Sequence, residues 1–184
     1  MIKIWDPARI SKSPAIFDPL KLRAINAAYI RALPAEEFRK LADPFIDQAV
    51  HVQIDRDLLC ANLQPRCEVL EDIPPQLDFF DAVLPIDAEM YRNKKQKTTP
   101  ESAKEALSAL LPVLVAQTDW SRDAIFEACK QKAEAMEKKN GWLLFPLGIA
   151  LSGKARTPGG GTDLAAMMGK EETLRRLNAA IEAL

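Results

Sequence analysis

The segment GKARTPGGG (Gly153 to Gly161) has the composition of a ligand-binding loop. Three consecutive glycines leave backbone N–H groups open to close approach, and Lys154 and Arg156 place two cations on the same exposed stretch. The chemistry this suits is the holding of an anion. A nucleotide-binding P-loop, however, places Gly-Lys-Ser/Thr after its glycines, comes after a strand and continues into a helix. Here the lysine comes first, so nucleotide binding is not expected of this loop. Two readings stand on the residues alone. One is a solvated turn between helices. The other is a loop stiffened by Pro158 that lays its backbone against unstacked bases while its cations hold phosphates.

The remaining reactive residue types are scattered. His51 is the single histidine, and no serine or cysteine is tied to it by spacing, so it reads as a surface or core histidine. Carboxylates are spread along amphipathic segments, and no general acid/base pair stands out. The three cysteines, Cys60, Cys67 and Cys129, have no metal-ligand spacing; they read as buried thiols, and their odd count fits a reducing cytoplasm. Catalysis is not expected of this chain.

With 184 residues, 48% of them hydrophobic and 28% charged, the chain can bury a core, as one domain or as two small subdomains. Its net charge of -1 argues against a non-specific nucleic-acid binder, although a local basic face beside an acidic one can still carry RNA recognition. Neither an apolar signal core nor a run long enough to cross a bilayer is present in the sequence, and no membrane partner is expected.

The elements that must position the loop read as helices. Asp18 and Pro19 open a helix to about Leu33 with Leu22, Ile25 and Tyr29 on one face. Pro34 with Glu36 and Glu37 opens a second, carrying Phe38, Leu41 and Phe45, which Pro44 ends or bends. Asp55 to Leu63 is a third. From Ile73 to Lys97 the pattern weakens into prolines and the basic stretch RNKKQK (Arg92 to Lys97), the expected connection between subdomains.

Thr99 and Pro100 restart the pattern, and Pro112 should kink or divide the helix they open. Ser121 caps a helix with Ile125, Cys129, Lys132 and Met136 on one face, stopped by Asn140 and Gly141. Leu143 to Leu151 is short and apolar, and ends at Ser152 and Gly153. The last helix, Lys170 to Leu184, has a stripe of Leu174, Leu177, Ile181 and Leu184. The expected fold is all-α and multihelical, in two small helical subdomains, residues 1–97 and 98–184.

Five blocks in order, SKSPAIFD (Ser11 to Asp18), KLRAINAAYIR (Lys21 to Arg31), WSRDAI (Trp120 to Ile125), LFPLGIALSGKARTPGGG (Leu144 to Gly161) and DLAAMMGKEETLRRLNAAIEAL (Asp163 to Leu184), closely resemble the C-terminal anticodon-binding region of bacterial glutamyl-tRNA synthetases, which are class I aminoacyl-tRNA synthetases. The resemblance covers nearly the whole chain and leaves no room for a catalytic domain. ISKS (Ile10 to Ser13) imitates the end of the catalytic lysine-rich loop. The resemblance instead places Lys12 downstream of that loop, against the RNA backbone at the inside corner of the tRNA. Lys21 and Asn26 match the family's FDxxKLxWxNxxYI pattern, with Ala24 where tryptophan is usual, and LPAEEF (Leu33 to Phe38) matches the family's next helix.

The resemblance also puts Arg66, in LQPRCEVLEDI (Leu63 to Ile73), where the family's arginine reads the third anticodon base; read from its residues alone, Arg66 is equally an ion-pair partner at the surface. Lys154, Arg156, Thr157, Pro158 and Gly159 fall in the loop that approaches the first two bases. Gly148 replaces the arginine usual in PLRxALTG, which bears on the first base. The resemblance implies an anticodon-binding domain for the tRNA of glutamate, with glutamine tRNA left open and DNA not expected. The intact enzyme's catalytic domain is the further partner, and ATP and Mg²⁺ belong to that domain, with no cofactor in this chain. The alternative is a helical protein-interaction module that keeps the scaffold without reading RNA.

Overall fold

Helices start where the sequence supplies a partner for the first orphan N–H groups. A computed structural model describes residues 17–82 and 84–184 of the chain. Helix α1 (Pro19–Ala32) is capped by Asp18, whose carboxylate accepts from the Lys21 N–H at 3.1 Å. Helix α2 (Ala35–Ile46) carries Glu36 and Glu37 at the positive end of its dipole. Asp55 caps α3 (Arg56–Leu63) through the Leu58 N–H at 2.9 Å. Single 3₁₀ turns at Gln64–Arg66, Leu70–Asp72, Pro74–Gln76 and Ala88–Tyr91 lead to α4 (Pro100–Ala116), which opens on a reciprocal Thr99–Ser102 cap. Then come α5 (Arg122–Ala135), α6 (Asn140–Ser152), α7 (Gly161–Met168) and α8 (Lys170–Ala183). No strand forms among the described residues, so the all-α expectation holds.

The helices differ from the expected ones in particular places. Pro44 and Pro112 lie inside helices that continue past them, so of the outcomes expected for them, ending and dividing are excluded. Both lie on exposed faces, where water can serve the carbonyl that a proline leaves without a donor. Asn140 and Gly141 do not stop α5: Glu137 does, at φ 53, with the Lys138 N–H closing back on the Ala133 carbonyl at 2.9 Å. Asn140 instead begins α6. The short helix α7 has no counterpart among the expected elements. Leu22, Ile25 and Tyr29 share a face of α1 as expected, and that face is exposed, whereas Ala27 and Ile30 make the buried side; Phe17 and Leu20 are exposed as well.

The apolar run Leu143 to Leu151 proves to be the centre of the molecule. Helix α6 buries Trp142, Leu143, Pro146, Leu147, Ile149, Ala150, Leu151 and Ser152, and α4, α5, α7 and α8 pack around it. Apolarity on all sides is what such surroundings demand. One buried cluster extends from Ile30 and Phe38 through Phe79, Tyr91 and Leu107 to Leu177 and Ala180, continuous across the expected division after Lys97. Arg176 is built into this core. Its guanidinium donates to the carbonyls of Phe79 (2.6 Å), Leu151 (2.7 Å) and Phe80 (2.9 Å), and its Nε donates to Glu172 at 2.6 Å. A charge at that depth is tolerable because each of its nitrogens has an acceptor.

Candidate nucleic-acid interface

The end of α6 determines how the glycine-rich loop leaves the core. Gly153 takes a left-handed conformation at φ 64, and a Cβ there would sit 2.9 Å from that of Leu84. Ser152 turns the chain by donating to the Gly148 carbonyl at 2.7 Å and accepting from the Lys154 N–H at 3.1 Å. Thr157 Oγ1 then donates to the Gly159 carbonyl at 2.5 Å, and Pro158 and Gly159 are buried. At the far end, Asp163 accepts from the Gly160 N–H at 2.7 Å and from Arg122 Nε at 3.0 Å, closing the loop onto the start of α7. Helix α7 in turn approaches α6 so closely that a Cβ on Gly161 would lie 2.8 Å from the Leu144 carbonyl oxygen.

Arg66 reaches this loop from the first half of the chain. Its Nη1 donates to the carbonyls of Pro158 (3.1 Å) and Thr157 (3.4 Å). The turn that carries it is fixed on both sides. Gln64 Nε2 donates to carbonyls at the end of α1, those of Ile30 (3.0 Å) and the C-cap residue Leu33 (2.8 Å), and Asn26 Nδ2 donates to the Glu68 carbonyl at 2.6 Å. Arg23, on the same face of α1, pairs with Glu68 and Asp72. Arg66, Gln76, Phe145, Gly148, Arg156 and Thr157 therefore surround one open cleft of about 640 Å³. Its wall offers a planar donor array, an aromatic ring and loop backbone, the groups with which proteins bind unstacked bases.

The residues singled out from sequence thus occupy different positions. Arg66, Arg156, Thr157 and Gly159 meet at the cleft, with Pro158 behind them. Lys154 also lines it, but the expectation that it displays its ammonium beside Arg156 is corrected: the ammonium donates to the Pro75 carbonyl at 2.8 Å and pairs with Asp78. Arg156 is exposed and makes no ion pair among the described residues. Asn26 acts on the site through Glu68, two positions beyond Arg66. Lys21 is exposed on the first turn of α1, and Lys12 lies outside the described residues. Gly148 leaves room where the resemblance expects a long side chain, since a Cβ there would meet Gly161 N only at 3.7 Å.

Several residues that position the site have no role that the sequence reading assigns. Gln64, Asp78, Arg122 and Asp163 pair with partners distant in the chain. Trp120, whose indole N–H donates to the Ala165 carbonyl at 2.9 Å, is marked like Arg122 and Asp163 only by its place in a matching block. The cysteines are buried as expected, and burial pushes the thiols of Cys129 and Cys60 up to about 12 and about 11. His51 is exposed and pairs with Asp81.

Residues 26–181 match the family model described as an anticodon binding domain. The chain belongs to that family. Among proteins similar to this anticodon-binding domain is a glutamate–tRNA ligase of Clostridium botulinum, 41% identical over 184 residues, all of this chain and 38% of the relative. A glutamate–tRNA ligase of Clostridium acetobutylicum is 40% identical over 185 residues, again 38% of its length. The domain therefore spans well under half of the curated relatives it matches. Of solved structures, it resembles a glutamate tRNA ligase from Elizabethkingia meningosepticum with a TM-score of 0.80 at 25% identity, covering 100% of this chain and 36% of that one. No described helix is long and apolar enough to cross a membrane.

Proposed function

We propose that this domain recognises the anticodon of glutamate tRNA on behalf of a glutamate–tRNA ligase, whose remaining part uses ATP and Mg²⁺ to attach glutamate. The observation that carries this reading is the meeting of Arg66 with the Lys154 to Gly161 loop around one cleft, in a chain of the anticodon-binding family. Arg66 presents guanidinium N–H groups to a base edge, and Phe145 offers a stacking face. Arg156 meets phosphate, as do Lys12 and Lys21 further along the RNA. Lys154 and Asn26 hold the loop and the Arg66 turn in place. Gly148 widens the cleft, so the first anticodon base is read by shape and loop backbone more than by a cation.

Titration against glutamate tRNA, glutamine tRNA and an unrelated tRNA at two salt concentrations tests this reading. Glutamate tRNA should bind more tightly than the unrelated tRNA by about 1–3 kcal/mol for each base that is read. Equal binding of all three would leave the domain as a helical interaction module. Glutamine tRNA bound as tightly as glutamate tRNA would mean that the domain itself does not separate the two.

A further inference from the structure

A second basic surface lies at the opposite end of α6 from the recognition loop. The stretch Arg92 to Lys97, which the sequence reads as a connection, folds into a closed turn: Asn93 and Thr98 exchange backbone hydrogen bonds of 3.1 Å each, and Asn93 Oδ1 accepts from the Lys95 and Gln96 N–H groups at 2.9 and 3.1 Å. Arg92 does not contribute, because both arms of its guanidinium are occupied by Glu89 at 2.6 and 2.9 Å. Lys94, Lys95 and Lys97 point outward, and Lys97 holds a left-handed conformation at φ 56. A lysine there is costlier than glycine.

The turn is seated on the start of α6, where a Cβ on Gly141 would overlap the Gln96 side chain. This brings it beside Lys138 and Lys139, the last residues of the α5–α6 connection, in which Glu137 is the one acidic residue. Lys138 lies over the Trp142 ring at 5.2 Å, which fixes its direction. All five lysines are exposed, and none has a carboxylate within 4.0 Å among the described residues. By contrast, Arg23, Arg39, Arg56, Arg92, Arg122, Arg175 and Arg176 are all consumed in ion pairs. On a chain of net charge -1, five unpaired cations drawn from two segments make a strong local field.

We propose that Lys94, Lys95, Lys97, Lys138 and Lys139 form a second RNA contact, which binds the phosphate backbone of a helical stretch of RNA without reading its sequence. This rests on the RNA-binding reading of the cleft. Helix α6 has 13 residues, so the patch and the loop stand roughly 18 Å apart along its axis. An RNA seated in the cleft at one end of α6 can thus be held by its phosphates at the other. The lysine carbon chains of the turn supply no stacking surface, which fits backbone contact and not base recognition.

The test uses the double variants Lys94→Gln/Lys95→Gln and Lys138→Gln/Lys139→Gln, titrated over a range of salt against tRNA and against an RNA duplex that has no anticodon loop. Each should bind both RNAs about ten-fold more weakly at low salt and lower the salt slope by about one to two, with the ratio between cognate and altered anticodons unchanged. Lys97→Gly should raise the melting temperature while weakening both RNAs. Wild-type affinity and slope in all three variants would overturn the proposal, as would a wild-type domain that ignores the duplex. Loss of anticodon discrimination in the wild type would instead defeat the reading of the cleft, and the duplex titration would still decide the patch.

Discussion

Arg66 and Pro158, 92 residues apart in the chain, are joined by a hydrogen bond of 3.1 Å from the guanidinium to the loop carbonyl. The bond ties the turn after α3 to the loop after α6, and it leaves the other edge of the guanidinium open to the cleft. Arg66→Lys keeps the charge but loses the fork, so it should bind tRNA nearly as poorly as Arg66→Ala. Because Arg66 is exposed, both variants should unfold within about 1 kcal/mol of wild type. Chemical denaturation beside tRNA titration checks the pair; a lysine variant with full affinity would reduce Arg66 to a point charge.

Lys154 provides a contrast between tether and phosphate clamp. Its ammonium is held by Asp78 and the Pro75 carbonyl, so Lys154→Ala and Asp78→Asn should have the same effect. Both should speed amide exchange across Ala155 to Gly160 and blunt anticodon discrimination, with the salt slope nearly unchanged. If Lys154 were a clamp, Lys154→Ala would cut the slope by about one and Asp78→Asn would strengthen binding.

Two glycines of the α6–α7 contact should respond in opposite directions. A Cβ on Gly161 would meet backbone at 2.8 and 2.9 Å, so Gly161→Ala should force the helices apart and cost about 1–3 kcal/mol. At Gly148 the nearest atoms would be at 3.7 and 3.8 Å, ordinary contact, and alanine should recover about 0.5–1 kcal/mol of helix propensity. Thermal unfolding of the two variants compares them directly.

Much of this scaffold is legible in the sequence because its signals are local. Asp18, Asp55, Thr99 and Ser121 cap the helices their positions foretell, and the glycine-rich loop is visible from composition. The features that the sequence hides share a cause, which is dependence on partners distant in the chain. Which face of α1 is buried depends on Arg23 and Asn26 reaching Glu68 and Asp72, not on the apolar stripe. Arg176 looks like one more surface cation on an amphipathic helix until the carbonyls of Phe79, Phe80 and Leu151 converge on it. Helix α7, eight residues long and entered through glycines, exists because Asp163, Trp120 and Gly161 hold it against its neighbours. In the candidate site, the loop and Arg66 are visible from sequence, whereas the bonds that Gln64, Asp78 and Arg122 make to hold them are not.

The carboxylate beside Arg176 gives the fold an acid limit. Hydrogen bonds from Arg175 first, and from Arg176, hold Glu172 at about 2, well below its usual 4.5. The folded-state value is depressed, so the stabilisation is fully present above about pH 4.5 and is lost as the pH falls toward 2. After allowance for its partial exposure, the loss should be about 1–2 kcal/mol. Denaturant titrations from pH 6 to 2.5 should show this slope in the wild type and a shallower one in Glu172→Gln. Parallel curves would mean that other carboxylates set the acid limit.

In the proposed function Arg66, held against the glycine-rich loop, reads an anticodon base, and a double-mutant cycle between protein and RNA puts that reading to trial. Affinities are measured for wild type and Arg66→Ala, each against glutamate tRNA with its native third anticodon base and with that base changed. A read base gives a coupling of about 1–3 kcal/mol, with the variant nearly indifferent to the change. Additive effects, with Arg66→Ala as discriminating as wild type, would contradict it.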